Sequence, residues 1–198
     1  LERHPRDEFG DYDYETPEAL DLTLINRHLA DLLDGKTIRT PNYDFKSGKR
    51  TLDVHELRLD NGEILLIDSL HGLYPAMTQD VQAELKFQLY IETLLQMKGP
   101  DGRMVRWRNL RLMRRMVRDA SFRSYGPRQT LEHWHYVRSS EMRNIIPYAN
   151  TVDYIVNGAL PYELPVMRRR LLGDFEQWTR DYEGDALRLD ASPRSRRV

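Results

Sequence analysis

Across residues 20–33 the chain repeats apolar side chains at intervals of three and four. Leu20, Leu24, His28 and Leu32 share one face, and Leu22, Ile25, Leu29 and Leu33 widen it. That spacing predicts an amphipathic helix. Thr16 and Pro17 supply an N-cap and a first-turn residue, and Gly35 supplies the stop. Further on, the period shortens. "TIRTPNYDFKSGKRT" mixes β-branched and turn residues as a hairpin or irregular excursion does, and "VHELRL" alternates like a half-exposed strand. "EILLIDS" is a continuous apolar run ending in Asp68, the pattern of a strand buried on both faces of a parallel sheet.

The second half alternates in the same way. "TQDVQAEL" predicts a short helix, "KFQLYIET" a strand and "GPDG" a turn. From Met104 to Tyr125 the helical period returns, with Leu110, Met113 and Val117 in a row widened by Leu112 and Met116. A second helix begins near Pro127, "VDYIVNGA" reads as a strand, and Pro161 to Tyr182 as a closing helix. Strands alternating with helices predict an α/β fold with helices on the faces of a mainly parallel sheet. The expected organisation is one domain over residues 1–183 and a polar tail over 184–198.

Composition narrows the class. The 198 residues are 40% hydrophobic and 31% charged, which suits a folded globular chain rather than a disordered one. Thirty basic and 31 acidic residues nearly cancel, so no global field calls for nucleic acid or an anionic membrane. Without cysteine there is no disulfide and no thiolate-ligated zinc. No apolar run approaches the roughly 20 residues of a membrane helix, and no signal peptide is visible. A cytoplasmic location is the expectation. Opening on "LERHPRDEFG" and closing on "SPRSRRV", the chain reads as a piece of a longer protein.

Four groups of residues have chemical potential. Asp68 stands where a strand's carboxyl end would meet a ligand, and position alone fits either support of Mg²⁺ through water or capping of the next turn. His71 lies close by with no assigned role. Arg108, Arg111, Arg115 and Arg118 recur at three and four, with Arg114 beside them and Arg123 beyond. Stacked guanidinium groups suit a polyphosphate, or else pair with acids such as Asp119. "DYDYE" and "PNYDFKSG" join aromatics to acids, a combination able to stack a flat ring and hold sugar hydroxyls, or simply to flank a core. His133 and His135 in "HWH" diverge on a helix and have no evident third ligand.

Taken in order, "DYDYETPEALDLTLINRHLADLLDGKTIRTPNYDFKSGKR", "ILLIDSLHGLY", "LRLMRRMVRDASFR" and "IIPYANTVDYIVNGAL" resemble the uridine kinase and phosphoribulokinase branch of the P-loop kinases, over about Pro5 to Glu163. "PRDEFGDYDYE" is especially similar to a bacterial subgroup whose kinase domain follows domains akin to those at the start of threonyl-tRNA synthetases. The resemblance implies a three-layer α/β/α fold and transfer of the γ-phosphoryl group of ATP, with Mg²⁺, to a sugar hydroxyl of a nucleoside or related small molecule. It implies that Asp68 ends the Walker B strand and supports the metal, where uridine kinases usually carry Glu. Tyr12 and Asp13 would hold the nucleoside, Tyr43 and Phe45 would flank the base, and Arg115 would face the substrate. Arg118 and Arg123 would lie at the lid and phosphates.

Two departures qualify these roles. Gly48 stands where nucleoside kinases place a base-reading His, and His133 about where a ribose-binding Gln is expected. The sequence also contains no G-x-x-x-x-G-K-[ST], whose amides and Lys cradle phosphates. The catalytic Asp is expected upstream of Leu1. The expected partner is therefore an N-terminal P-loop segment of the same protein, and the 198 residues by themselves are expected to be inactive. Strand positions left uncovered would favour association. A non-catalytic nucleotide-binding or regulatory module is the competing reading, and RNA binding through the arginine helix is disfavoured by the neutral charge.

Overall fold

A computed structural model of the chain describes residues 5–6, 13–44, 47–122 and 126–182. It is a mixed α/β structure, in keeping with the P-loop-kinase-like class. In order, α1 spans Leu22–Leu33, β1 Ile38–Asp44, β2 Lys49–Leu57 and β3 Leu89–Glu92. Then follow α2 over Trp107–Phe122, α3 over Pro127–Asn144, β4 over Tyr154–Asn157 and α4 over Glu163–Tyr182. Two compact units result: residues 1–90 with 137–154, and residues 91–136 with 155–198.

In the first unit the helix expected from Pro17 begins later. Pro17–Ala19 form a single 3-10 turn, and α1 starts at Leu22 because the Asp21 carboxylate accepts from the Leu24 amide at 3.0 Å. Its other oxygen takes Arg50 of β2 at 2.7 Å, so the cap also anchors the hairpin. The helix stops as predicted. Gly35 has φ +74°, its amide donates to Leu32 and the Lys36 amide to Asp31, the paired bonds of a Schellman cap.

β1 and β2 form an antiparallel hairpin whose register shifts between Thr40 and Asn42, where Pro41 has no amide to give. Gly48 closes the hairpin with φ +67°, its amide donating to Asp44 at 2.8 Å. The turn thus requires at this position a backbone that a histidine adopts only with strain.

Buried Asn26 ties α1 to the turn after it in space, donating to the Ala76 carbonyl at 2.8 Å and accepting from the Asp80 amide at 3.2 Å. Tyr90, Ile145 and Ala149 form a small apolar cluster with Leu73 and Val152 packed against it.

The predicted strand at Ile64–Asp68 is not one. Residues 63–69 carry neither helix nor strand, Ile64 is 92% exposed and Leu66 83%. A strand is defined by its neighbours, and no described segment pairs with this one. "TQDVQAEL" likewise contracts to a 3-10 turn at Ala83–Leu85.

β3 and β4 do pair, and in the same direction: the Tyr154 amide donates to Gln88 and the Gly158 amide to Glu92, a constant offset along both strands. The second unit packs Leu110, Leu112, Met113 and Met116 of α2 out of water, together with Leu131, Trp134, Leu171, Phe175 and Trp178. Each such side chain contributes about 1.5–3 kcal/mol of burial. Phe175 and Trp178 meet edge to face at 5.3 Å.

Gly35→Ala should lower the stability of the chain by about 1–2 kcal/mol, the cost of a left-handed backbone for a residue with a Cβ. Nothing lies within 4 Å of the added methyl, so no packing change offsets that cost. An unchanged urea midpoint would show that the cap is not formed in solution.

Candidate functional site

Asp13 and Tyr43, which the resemblance assigns to the acceptor, fall in the first unit. Asp13 folds its carboxylate back on its own segment and accepts from the Glu15 amide at 3.0 Å, the geometry of an Asx turn. Glu15 follows, half-buried, and its carbonyl accepts from Ser140 of α3. Thr16 donates to Glu18, and the Tyr74 hydroxyl also donates to Glu18 at 3.4 Å. Those bonds, Thr16's first, hold the Glu18 carboxyl below its ordinary range. The Glu18 charge in turn raises Tyr74. Asp21 is lowered chiefly by its bond to Arg50, then by the Leu24 amide.

Among these acids sits His71, only 4% exposed. Among the described residues neither ring nitrogen has a hydrogen bond of full geometry, although the Glu15 backbone lies close enough to act on the ring. Burial holds the imidazole below its usual value, opposed by Glu15, Glu18 and Asp13. Residues 69–74 carry the ring inward through two turn bonds, from Gly72 to the Ser69 carbonyl and from Tyr74 to the His71 carbonyl. The sequence flags His71 only by its closeness to Asp68. Its real environment is the acidic segment more than 50 residues earlier in the chain, the same segment that Tyr74 reaches through Glu18, 56 residues before it.

Asp68 is exposed, and among the described residues it has no hydrogen bond or ion pair. The expectation of a carboxylate at the edge of a buried strand is therefore corrected: Asp68 stands in water, and the turn after it is held without its side chain. Tyr43 is half-buried in β1, with its hydroxyl 3.9 Å from where a Cβ on Gly48 would stand. Tyr12, Phe45 and Arg123 lie outside the described residues.

The arginines belong to the second unit, where acids accompany them. Arg111 meets Glu92 of β3 at 2.7 Å. Arg114 forks onto Glu163, the first residue of α4, and also donates to the Gly158 carbonyl at 2.7 Å. Arg115 and Arg118 both reach Asp119, at 3.3 and 3.1 Å. Pairing with Asp119 was foreseeable from the sequence. Glu92 and Glu163 were missed, although Glu92 shares the inward period of β3 with Tyr90. In "HWH" the middle Trp134 is buried while both histidines are exposed against Tyr136, and His135 Nδ1 lies 3.0 Å from the Glu132 carbonyl.

The sequence that carries these features matches a known family. The model of the phosphoribulokinase/uridine kinase family covers residues 1–161. The chain belongs to that family.

Among curated relatives, uridine-cytidine kinase B of Dictyostelium discoideum is 26% identical over 79% of this chain and 57% of its own length. Uridine-cytidine kinase 2-B of Danio rerio is 27% identical over 74% and 50%, and a uridine kinase of Deinococcus deserti 24% over 72% and 61%. The chain thus spans about half the length of these kinases. No helix among the described residues is long and apolar enough to cross a membrane.

Oxygen donors suit Mg²⁺, which commonly uses one or two carboxylates with waters and substrate phosphates rather than an all-protein cage. An exposed, unpaired Asp68 fits that requirement. No group of three metal-ligating side chains is present among the described residues, so the phosphates would have to complete such a site.

His71 also makes stability depend on pH. Its folded pKa lies below the unfolded value of about 6.5, so the unfolded chain binds the proton first. Stability is then full above pH ~6.5 and falls as pH drops below it toward the folded pKa. Thermal midpoints from pH 7.5 to 5.5 should decline in the wild type and decline less in His71→Asn. Parallel slopes in the two proteins would show that His71 does not titrate in this environment.

Proposed function

We propose that the 198 residues are the acceptor and lid portion of an ATP-dependent kinase that phosphorylates a sugar hydroxyl of a nucleoside or related small molecule. Asp68 carries the reading. It is an exposed carboxylate without a partner among the described residues, at the position that the family resemblance gives to the Mg²⁺-supporting acid. When bound, Mg²⁺ would neutralise charge on the transferred phosphoryl group, and Asp68 would hold it through water.

Around the acceptor, Tyr12, Tyr43 and Phe45 would stack the base and Asp13 would hold ribose hydroxyls. The turn bond that Asp13 makes to Glu15 leaves its second oxygen for that contact. Arg115 would face the substrate, with Arg118 and Arg123 at the phosphates. The phosphate-cradling loop and the general base come from sequence other than these residues, so the 198 residues alone do not turn over. The apolar, unpaired run at residues 64–67 supports this, since it is the side-chain pattern of a strand awaiting a neighbour. Gly48 speaks for a base contact different from the histidine of uridine kinases. The setting proposed is cytoplasmic.

The test is Asp68→Asn in the natural protein. Mg²⁺-dependent phosphoryl transfer should fall about 10²-fold or more, as when one preorganised transition-state contact is lost. The thermal midpoint should hold, because the side chain is exposed and bonds to nothing described. Wild-type turnover in this variant would remove Asp68 from the metal site.

A further inference from the structure

His71 has no role in the reading above, although its turn meets the acceptor segment at two points. The ring is 4% exposed, beside the backbone of Glu15 and within reach of the charges on Glu15, Glu18 and Asp13. On the same turn, the Tyr74 hydroxyl donates to Glu18 at 3.4 Å. Backbone bonds from Gly72 to Ser69 and from Tyr74 to His71 close the turn, so both side chains leave it from fixed positions.

Each side of this junction is also held from behind. Beyond the turn, buried Asn26 of α1 donates to the Ala76 carbonyl at 2.8 Å and accepts from the Asp80 amide at 3.2 Å. Across from it, the Glu15 carbonyl accepts from Ser140 of α3, and the Glu15 amide donates to Asp13 at 3.0 Å. Glu15 is therefore where the Asp13 carboxylate, the α3 hydroxyl and the buried imidazole converge. Asp68 directly precedes the turn. Sliding the turn against the acidic segment would move the proposed metal-supporting acid relative to the acid proposed to hold the acceptor.

Fold stability alone is a poor account of an imidazole at this place. A buried ring without a hydrogen bond of full geometry among the described residues costs more to bury than an aliphatic side chain of similar size. What the ring adds is direction. A polar atom facing the Glu15 backbone favours one register of the two segments, which a methyl group does not.

We infer that His71 is a positioning residue that holds the Asp13 turn in register with the turn after Asp68, and so sets where the acceptor lies relative to the Asp68 carboxylate. The inference rests on the proposed acceptor role of Asp13 and metal role of Asp68.

The experiment compares the natural protein with three variants. His71→Leu keeps the buried volume and removes the polar atoms, while His71→Asn and His71→Gln return an amide near the places of Nδ1 and Nε2. The acceptor used is whichever member of a panel of nucleosides and sugar phosphates the wild type turns over fastest. In His71→Leu the acceptor KM should rise about tenfold, the equivalent of one charge-assisted hydrogen bond, while the KM for ATP stays at the wild-type value. One of the two amide variants should recover most of that loss. Wild-type acceptor KM in His71→Leu overturns the inference.

Hydrogen exchange reads the same junction without turnover. In His71→Leu the Glu15 amide should exchange about tenfold faster with α1 amides unchanged, and the rescuing amide variant should restore its protection. If His71→Leu does not fold, the amide variants decide the matter, because only one of the two ring positions can face Glu15. They must then differ from each other, and equal values overturn the inference.

The two readings fail separately. Phosphoryl transfer with unchanged acceptor KM and unchanged Glu15 exchange overturns the role of His71 and leaves the kinase reading standing. Faster Glu15 exchange in a natural protein without turnover supports the register lock and overturns the kinase reading.

Discussion

A carboxylate taken out of water needs a cation, and that requirement organises the second unit. Glu92, Asp119 and Glu163 are all buried, and α2 brings an arginine to each. Removing one member of such a pair leaves an uncompensated charge, at a cost of about 3–5 kcal/mol. The helix therefore has two opposed duties. Leu110, Leu112, Met113 and Met116 bury one face in the apolar core, and the arginine positions answer the acids around it. Its rotation about its own axis is fixed from both sides.

The first unit uses such a pair too, buried Glu141 with Arg138 three residues before it, and adds hydrogen bonds to the backbone. Asn26 bonds to two backbone groups, and the acids of segment 13–21 are held by short-range hydrogen bonds and by Arg50. His71 differs, a buried ring whose pKa burial lowers against the opposing pull of Glu15, Glu18 and Asp13. The acidic turn and the hairpin beside it supply the groups assigned to the acceptor, so the polar arrangement and the proposed recognition share the same residues.

Legibility of the sequence followed the physics of each element. α1, α2, α3 and α4 were readable because one buried face imposes a 3.6-residue repeat, and Gly35 and Pro127 mark their ends. The exact start of α1 was not: Asp21 and Thr16 both look like caps, and only the Arg50 contact distinguishes them. "EILLIDS" misled because an apolar run records what a segment would bury, not whether a partner strand is present. Asp68 was singled out as the acid ending that run, its metal role was implied by resemblance alone, and its exposed state was invisible to pattern. The acids that meet α2 were hidden for a related reason, since pairing across elements leaves no period in the chain. Family membership, by contrast, was legible in the order of the motifs, and the family match over residues 1–161 agrees.

The proposed phosphoryl transfer assigns the acceptor to the acidic and aromatic segments and the phosphates to arginines of α2. The most direct measurement is product formation by the natural protein with ATP, Mg²⁺ and a panel of nucleosides and sugar phosphates, read by mass. The account predicts a new phosphomonoester on a sugar hydroxyl of at least one acceptor, lost when Mg²⁺ is chelated. ATP bound but no acceptor phosphorylated would contradict it and leave a nucleotide-binding module in its place.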